Sequence, residues 1–376
     1  MGDGRSSRRE GTRLERLSAR GVSVWIDSLS REMLETGELE RLVREDSVVG
    51  VTSNPTIFQK ALAEGTWYDA QLREVAREQN DPTKSFFALA LDDIRAACDL
   101  LRPVWERTQG VDGFVSLEVD PTLAYDREAT FAQAQRFHEE VARVNLYVKI
   151  PATRPGLGAI EDCIARGKSI NVTLIFSLER YAAVVEAYVL GLERLVAAGG
   201  DPSRVNSVAS FFVSRVDTEA DRRLAEAGRP ELQGRLAIAN AKLAYQHYLE
   251  VVAGERWAFL AGKGARPQRC LWASTSTKNP DYRDVLYVEE LIGPDTVNTM
   301  PAETIRAFQD HGEVRGDTLL EGVDGTRALL EELAAAGVDY DDVVETLEAE
   351  GVQKFADSFQ ELLAGLEAKR GALAAA

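Results

Sequence analysis

The stretch "NLYVKIPAT", residues 145–153, places a lysine, Lys149, inside an apolar run. Burying a charged lysine is costly unless its ammonium group is paired or loses its proton. One interpretation is a lysine at a strand end that keeps its ammonium group in water. The other is a desolvated lysine that offers a neutral amine as a nucleophile. Which of these interpretations applies depends on the residues that the fold places around Lys149.

Eight short apolar runs recur along the chain, with longer amphipathic stretches between most of them. They are "VSVWIDS" (22–28), "SVVGVTSN" (47–54), "GFVSLEVD" (113–120), "NLYVKIPAT" (145–153), "SINVTLIFS" (169–177), "VNSVASFFVS" (205–214), "RCLWAST" (269–275) and "DTVNTMP" (295–301). Strands that alternate with helices predict a parallel α/β fold. Eight units suit a closed (β/α)8 barrel at least as well as an open, doubly wound sheet.

More helix is predicted than eight crossovers require, and Ser30 and Ser177 are suitable N-caps. Helical patterns cover 30–46, 85–106, 177–200, parts of 215–268 and the tail 323–372. One stripe of the tail carries Phe355, Phe359, Leu362, Leu363 and Leu366. We therefore expect an N-terminal extension with a short helix over 1–19 and one domain over 20–376. That domain is expected to be a (β/α)8, or TIM, barrel with additional helices and a C-terminal helix over its mouth.

Strand parity indicates which side chains enter the barrel. Alternate residues point inward, and the outward face must be apolar because helices cover it. This rule turns the following residues inward near the strand ends: Asp27, Asn54, Glu118, Lys149, Asn171, Thr173, Ser210, Phe212, Trp272, Ser274 and Asn298. Active sites of this fold occupy the carboxyl ends of the strands. Lys149 is thereby predicted beside Asp27 and Glu118, either in a buried ion-pair network or as an amine that forms a Schiff base.

The composition argues against several other kinds of function. A formal net charge of −17 is unfavourable for nucleic acid, which binds proteins through cationic side chains. The three cysteines and three histidines form no CxxC or HExxH pattern, so no metal site is expected. We find no apolar stretch of about 18 residues that would span a membrane. The first residues lack the apolar segment of a secretory signal, and a cytoplasmic location is expected.

Several separate motifs together resemble the transaldolase family. They are "VTSNPTIF" (51–58), "VSLEVD" (115–120), "LYVKIPAT" (146–153), "INVTLIFS" (170–177) and "WASTSTKNPDY" (272–282). The last is similar to the longer bacterial branch of the family. The resemblance implies a (β/α)8 barrel that works without a cofactor by a class I aldolase mechanism. Its reaction would transfer a dihydroxyacetone unit from sedoheptulose 7-phosphate or fructose 6-phosphate to glyceraldehyde 3-phosphate or erythrose 4-phosphate, in the non-oxidative pentose phosphate pathway.

The resemblance also implies roles for individual residues. Lys149 would form the Schiff base, Asp27 would act as general acid and base, and Glu118 and Thr173 would hold a catalytic water. The implied substrate-binding residues are Asn54, Asn171, Ser210, Phe212, Arg215, Ser274 and Lys278. Members of the shorter branch carry a second phosphate-binding arginine after the seventh strand. Here Lys278 is expected to take that role, because the loop contains no arginine at that place.

Two alternatives remain open at this point. One is an aldolase of the fructose 6-phosphate type that releases dihydroxyacetone freely. The other is a catalytically silent barrel that serves as a binding protein, which the intact Lys149, Asp27 and Glu118 disfavour. The expected partners are sugar phosphates, and the chain is expected to be a monomer or a homodimer.

Overall fold

A computed structural model describes residues 11–63 and 65–375 of the chain. Its sheet is a closed barrel in which eight parallel strands follow one another in chain order. The strands are β1 (Val22–Ile26), β2 (Val48–Val51), β3 (Val115–Glu118), β4 (Leu146–Pro151), β5 (Ile170–Ile175), β6 (Ser207–Phe212), β7 (Arg269–Ala273) and β8 (Thr296–Met300). Each strand lies within one of the eight apolar runs, so the prediction of a (β/α)8 barrel is confirmed.

Helices connect the strands and extend the barrel at several places. They are α1 (Arg13–Ser18), α2 (Arg31–Glu35), α3 (Glu38–Glu45), α4 (Pro55–Ala63), α5 (Asp69–Glu78), α6 (Pro82–Arg107), α7 (Arg127–Val141), α8 (Arg154–Ala165), α9 (Leu178–Ala197), α10 (Ser214–Glu226), α11 (Leu236–Ala253), α12 (Glu255–Ala261), α13 (Leu286–Glu290), α14 (Ala302–His311), α15 (Val323–Ala335) and α16 (Tyr340–Ala375). Among the described residues, none of the helices is long and apolar enough to cross a membrane.

The predicted helix starts are confirmed, whereas one predicted helix is divided. Ser30 and Ser177 accept hydrogen bonds from the backbone N–H groups of Met33 and Arg180, at 3.1 and 3.0 Å. The stretch 30–46 forms two helices because Gly37, with φ of 76°, ends the first of them. A left-handed residue cannot continue a helix, and glycine adopts that conformation at little cost.

The barrel interior is filled in layers below the carboxyl ends of the strands. Near the amino ends, Arg269 forms an ion pair with Asp112 at 3.0 Å and donates a hydrogen bond to Ser23 at 2.8 Å. Above it, Tyr147 stacks on Trp25 and Phe114, with ring centroids 6.1 and 4.2 Å apart. These layers close the interior from below, so inward side chains at the carboxyl ends are reached only from the mouth.

The C-terminal helix α16 crosses this mouth, as predicted. Phe359, one of its buried residues, packs on Phe86 and Phe87 of α6, with centroids 5.7 and 6.1 Å apart. Near the middle of α16, Gly351 lies so close to Phe176 and Leu174 that a Cβ there would sit 3.2 and 3.3 Å from their side chains. The helix is therefore held at both sides of the barrel opening.

We expect Gly50→Ala to destabilise the barrel, because a Cβ at Gly50 would overlap the indole ring of Trp25. Overpacking of this kind typically costs about 1–3 kcal/mol. Urea unfolding measures the loss. Gly325→Ala is the control, since a Cβ at that helical position in α15 meets nothing within 4 Å. Equal stability of Gly50→Ala and the parent chain would contradict this packing.

Candidate active site

Lys149 lies on β4 with its side chain inside the barrel, where only 6% of it is exposed. Its Nζ atom is 3.3 Å from Oε2 of Glu118 and donates a hydrogen bond to the backbone oxygen of Ser53 at 3.2 Å. Val148 and Ile150, the neighbours of Lys149 along the strand, are fully buried. The structure therefore excludes the solvated strand-end lysine and leaves the buried, paired amine.

Glu118 ends β3, the strand next to β4, and its Cα pairs with that of Lys149. Burial raises the pKa of Glu118 to about 7, although the neighbouring Lys149 acts in the opposite direction. Apart from its ion pair with Lys149, its Oε2 atom has no hydrogen-bond partner among the residues that the structure describes. A carboxyl group with this pKa can give or take a proton near neutral pH.

Asp27 follows β1 and provides the second carboxylate of the site. Its backbone N–H donates to Met300 at 2.8 Å, and its Oδ1 atom accepts a hydrogen bond from the hydroxyl group of Thr52 at 2.7 Å. Desolvation raises the pKa of Asp27, while Lys149, the Thr52 hydroxyl and Arg215 lower it. The carboxylate is thus placed by two neighbouring strands and lies within the field of the cationic side chains.

Strand β5 contributes Thr173 and Asn171. The Thr173 hydroxyl group is buried and has no hydrogen-bond partner among the described residues. Asn171 accepts from Ser210 at 2.7 Å and donates to Ser116 at 3.0 Å, so both ends of its amide group are engaged. Its Cα pairs with that of Lys149 in the sheet. This placement points to a residue that orients Ser210 and the wall of the site.

Arg215 lies in the first turn of α10, directly after β6. Its guanidinium carbon is 5.1 Å from the ring centroid of Phe212 and 5.9 Å from that of Phe355 on α16. Desolvation lowers the pKa of Arg215, although the nearby carboxylates of Asp27 and Glu118 raise it. Its Nη1 atom is buried and has no hydrogen-bond partner within the described chain. A cation held between two rings with a free donor is suited to bind an anion.

The loop after β7 lies beside Arg215. Ser274 has φ of 57°, and its hydroxyl group is 2.9 Å from that of Ser214. Lys278 donates a hydrogen bond to Ser276 at 2.8 Å. Hydroxyl groups and cations thus face the cavity from two adjacent elements.

These side chains surround a cavity of about 320 Å³ at the barrel mouth. The predicted residues on its wall are Asp27, Asn54, Lys149, Thr173, Ser210, Phe212, Arg215, Ser274 and Lys278. Glu118 and Asn171 are not among the residues that line it. Residues on the wall that the sequence did not indicate include Thr52, Lys60, Thr299, Glu303 and Phe355. The motif "VTSNPTIF" ends two residues before Lys60, which was the available signal for that lysine.

Two side chains were predicted on the wrong face. On β7, Leu271 and Ala273 pair with Ser210 and Phe212, whose side chains point inward. Trp272 lies between them and pairs with Phe211 on one side and with Asn298 on the other. Trp272 and Asn298 therefore point outward, where the indole ring packs on Phe211 with centroids 6.2 Å apart. The positive φ of Ser274 interrupts the strand alternation after β7, and in β8 the apolar Val297 lies on the inward face, so the parity rule fails for both strands.

The described residues contain no group of three or more His, Cys, Asp or Glu side chains that could hold a metal ion. A parallel barrel that buries a lysine beside two carboxylates at the carboxyl ends of its strands has the parts of a Schiff-base enzyme. The amine is the nucleophile of that class, and the carboxylates are its proton carriers.

Comparison with known proteins identifies the family. The model of the Transaldolase/Fructose-6-phosphate aldolase family matches residues 24–366. The transaldolase of Parafrankia sp. (strain EAN1pec) is 54% identical over 364 residues, which cover 96% of this chain and 99% of the relative. The transaldolase of Acidothermus cellulolyticus is 55% identical over 355 residues, covering 94% and 95%. That of Thermobifida fusca is 54% identical over 356 residues, covering 94% and 97%. The chain therefore belongs to the transaldolase/fructose-6-phosphate aldolase family.

Helix α10 carries Arg215 and also anchors the segment that follows the loop of Lys278. Asp221 accepts a hydrogen bond from the hydroxyl group of Tyr282 at 2.6 Å, and Asp217 accepts one from Tyr287 at 2.8 Å. Burial raises the pKa of Asp217 to about 7. The two halves of the cationic pocket are thus positioned by one helix.

We expect Tyr282→Phe to raise the KM for phosphorylated substrates by up to about tenfold. The substitution removes a hydrogen bond to a charged group, which contributes about 1.5–3 kcal/mol and helps to hold the loop that carries Lys278. The kcat with unphosphorylated glyceraldehyde as acceptor should not change. Steady-state kinetics with both acceptors measures the difference. Tyr245→Phe is the control, since it removes a tyrosine hydroxyl that donates to Pro294, next to β8 at its amino end. An unchanged KM in Tyr282→Phe would show that Asp221 does not position the loop.

Proposed function

We propose that this chain is a transaldolase that transfers a dihydroxyacetone unit between sugar phosphates through a Schiff base on Lys149. The donor is sedoheptulose 7-phosphate or fructose 6-phosphate, and the acceptor is glyceraldehyde 3-phosphate or erythrose 4-phosphate, as in the non-oxidative pentose phosphate pathway. The buried Lys149–Glu118 pair, 3.3 Å apart beside the cavity, carries this proposal. The names of the similar proteins support it.

The reaction begins at the amine of Lys149, which attacks the C2 carbonyl carbon of the donor. The resulting carbinolamine loses water and leaves an iminium ion. Glu118 and Thr173 hold the water that this step releases and later consumes. The Thr173 hydroxyl group is buried without a hydrogen-bond partner among the described residues, and the Glu118 Oε2 atom has none there beyond its ion pair with Lys149, so both oxygens are available to a water molecule.

The C3–C4 bond then breaks, and Asp27 takes the proton from the C4 hydroxyl group. The bonding electrons move toward the iminium nitrogen, so that an enamine remains on Lys149 and an aldehyde leaves. When the acceptor aldehyde arrives, the enamine carbon attacks its carbonyl carbon. Asp27 returns the proton to the new hydroxyl group, and hydrolysis of the new iminium ion frees the product and the lysine.

The remaining predicted residues divide between the two ends of the substrate. Asn54, Ser210 and Phe212 face the three-carbon unit, and Asn171 orients Ser210 through its hydrogen bond at 2.7 Å. The phosphate end is bound by Arg215, Ser274 and Lys278. A local cluster of cations is required there, because the net charge of −17 repels anions at longer range.

Transfer is favoured over free release of dihydroxyacetone because α16 covers the mouth. Phe355 of this helix lies over Lys149, with its ring centroid 5.8 Å from Nζ. Excluding water protects a reactive enamine from protonation until the acceptor binds. We propose further that residues 20–376 act as one domain in the cytoplasm, as a monomer or a homodimer, on freely diffusing sugar phosphates.

The proposal is tested by transfer from fructose 6-phosphate to erythrose 4-phosphate in a coupled assay. We expect transfer by the parent chain and none by Lys149→Arg, because a guanidinium group stays protonated and cannot form the imine. Lys168→Arg is the matched control, since Lys168 lies just before β5 at the opposite end of the barrel. Transfer by Lys149→Arg, or none by the parent chain, would refute the proposal.

We expect Asp27→Asn to reduce turnover by about 10²–10⁴-fold, the usual contribution of a general acid–base group. The amide preserves the size of the side chain but cannot accept the proton. The Schiff base should still form, because that step uses Lys149 and Glu118. Single-turnover kinetics separates imine formation from C–C cleavage, and undiminished cleavage would remove Asp27 from the mechanism.

A further inference from the structure

One face of α16 is directed at the barrel mouth. Gly351, Phe355 and Phe359 follow one another at intervals of four residues, so they lie on the same face of the helix. The two outer members are held by packing, Gly351 against Phe176 and Phe359 against Phe86. The middle member, Phe355, is the one of the three that lines the cavity.

Polar contacts beyond this face hold α16 in position. Arg180 of α9 binds both carboxylate oxygens of Glu348 at 3.0 and 3.1 Å. On the other side of the mouth, Thr56 of α4 donates to Ser358 at 3.0 Å. These contacts bracket residue 355 in sequence, so its ring has a defined place over the cavity.

Phe355 contacts both functional ends of the site. Its ring centroid is 5.8 Å from Nζ of Lys149 and 5.9 Å from the guanidinium carbon of Arg215. The residue is 5% exposed, so the ring is packed rather than free at the surface. The ring of Phe355 thus covers the reacting amine of Lys149 and also packs on Arg215, the arginine proposed to bind phosphate.

The enamine on Lys149 has two possible fates. In transfer, its carbon forms a bond to the carbonyl carbon of the acceptor, and the acceptor oxygen takes the proton from Asp27. In release, the same carbon takes a proton instead, and one water molecule hydrolyses the iminium ion to free dihydroxyacetone and the lysine. Water above the amine therefore favours release, whereas a covered amine and a bound acceptor favour transfer.

We propose that Phe355 determines the ratio of transfer to release, by covering Lys149 and by supporting Arg215 through its ring. This inference rests on the proposed transaldolase function. It makes Phe355 a specificity-determining residue supplied by the C-terminal helix, about 200 residues beyond the lysine that it covers. Loss of the ring would admit water and weaken the position of the arginine at the same time.

The test compares Phe355→Ala with the parent chain in two assays. One measures transfer from fructose 6-phosphate to erythrose 4-phosphate, and the other measures dihydroxyacetone released from fructose 6-phosphate alone. We expect the ratio of release to transfer to rise about tenfold, because water then reaches the enamine and Arg215 loses one of its cation–ring contacts. If Phe355→Ala does not fold, Phe355→Leu gives the same test, because the leucine side chain is too short to cover both Lys149 and Arg215.

Phe359→Ala is the matched control, one turn further along the same helix face. It removes packing on Phe86 and Phe87 but no part of the cavity wall, so its ratio should stay close to that of the parent chain. An unchanged ratio in the folded Phe355 variant would overturn the inference, and so would an equal rise in both variants, which would show general loosening of α16. Absence of transfer by the parent chain would instead refute the proposed function.

Discussion

The ion pair between Lys149 and Glu118 is the interaction on which the site depends. Their side chains are 6% and 5% exposed, and their charged atoms are 3.3 Å apart. Removing two charged groups from water costs free energy, and their mutual attraction offsets that cost only when they are held close together in a suitable geometry. Adjacent strands in register supply that geometry, because the Cα atoms of the two residues are paired in the sheet. The same burial raises the pKa of Glu118 to about 7, which suits proton transfer at neutral pH.

The rest of the fold isolates this pair from both ends of the barrel. Below it, Tyr147 stacks with Trp25 and Phe114 and closes the interior. Above it, α16 brings Phe355 over the cavity. Arg215 and Lys278 line the wall of the cavity that this helix covers. Helix α16, which lies beyond the eight crossovers, thus covers the mouth of the barrel.

Strand alternation predicted most of this arrangement, because helices cover the outside of the barrel and force polar side chains inward. Asp27 and Lys149 could be located in this way. The rule failed for Trp272 and Asn298. In β7 the positive φ of Ser274 interrupts the alternation, and in β8 the apolar Val297 lies on the inward face with Thr299, against the rule. Phe355 was visible only as a member of an apolar stripe, because its position over Lys149 depends on how a distant helix packs on the barrel.

The central claim is that Lys149 is buried because the chemistry needs a shielded amine. Incubation with fructose 6-phosphate and borohydride, followed by peptide mass analysis, tests it most directly. The account predicts that reduction of the imine adds the three-carbon unit to the peptide that contains Lys149 and to no other lysine. Lys168 and Lys278 should remain unmodified, the first near the opposite end of the barrel and the second in the loop after β7. A label on either of them, or none on Lys149 in an active preparation, would contradict the account.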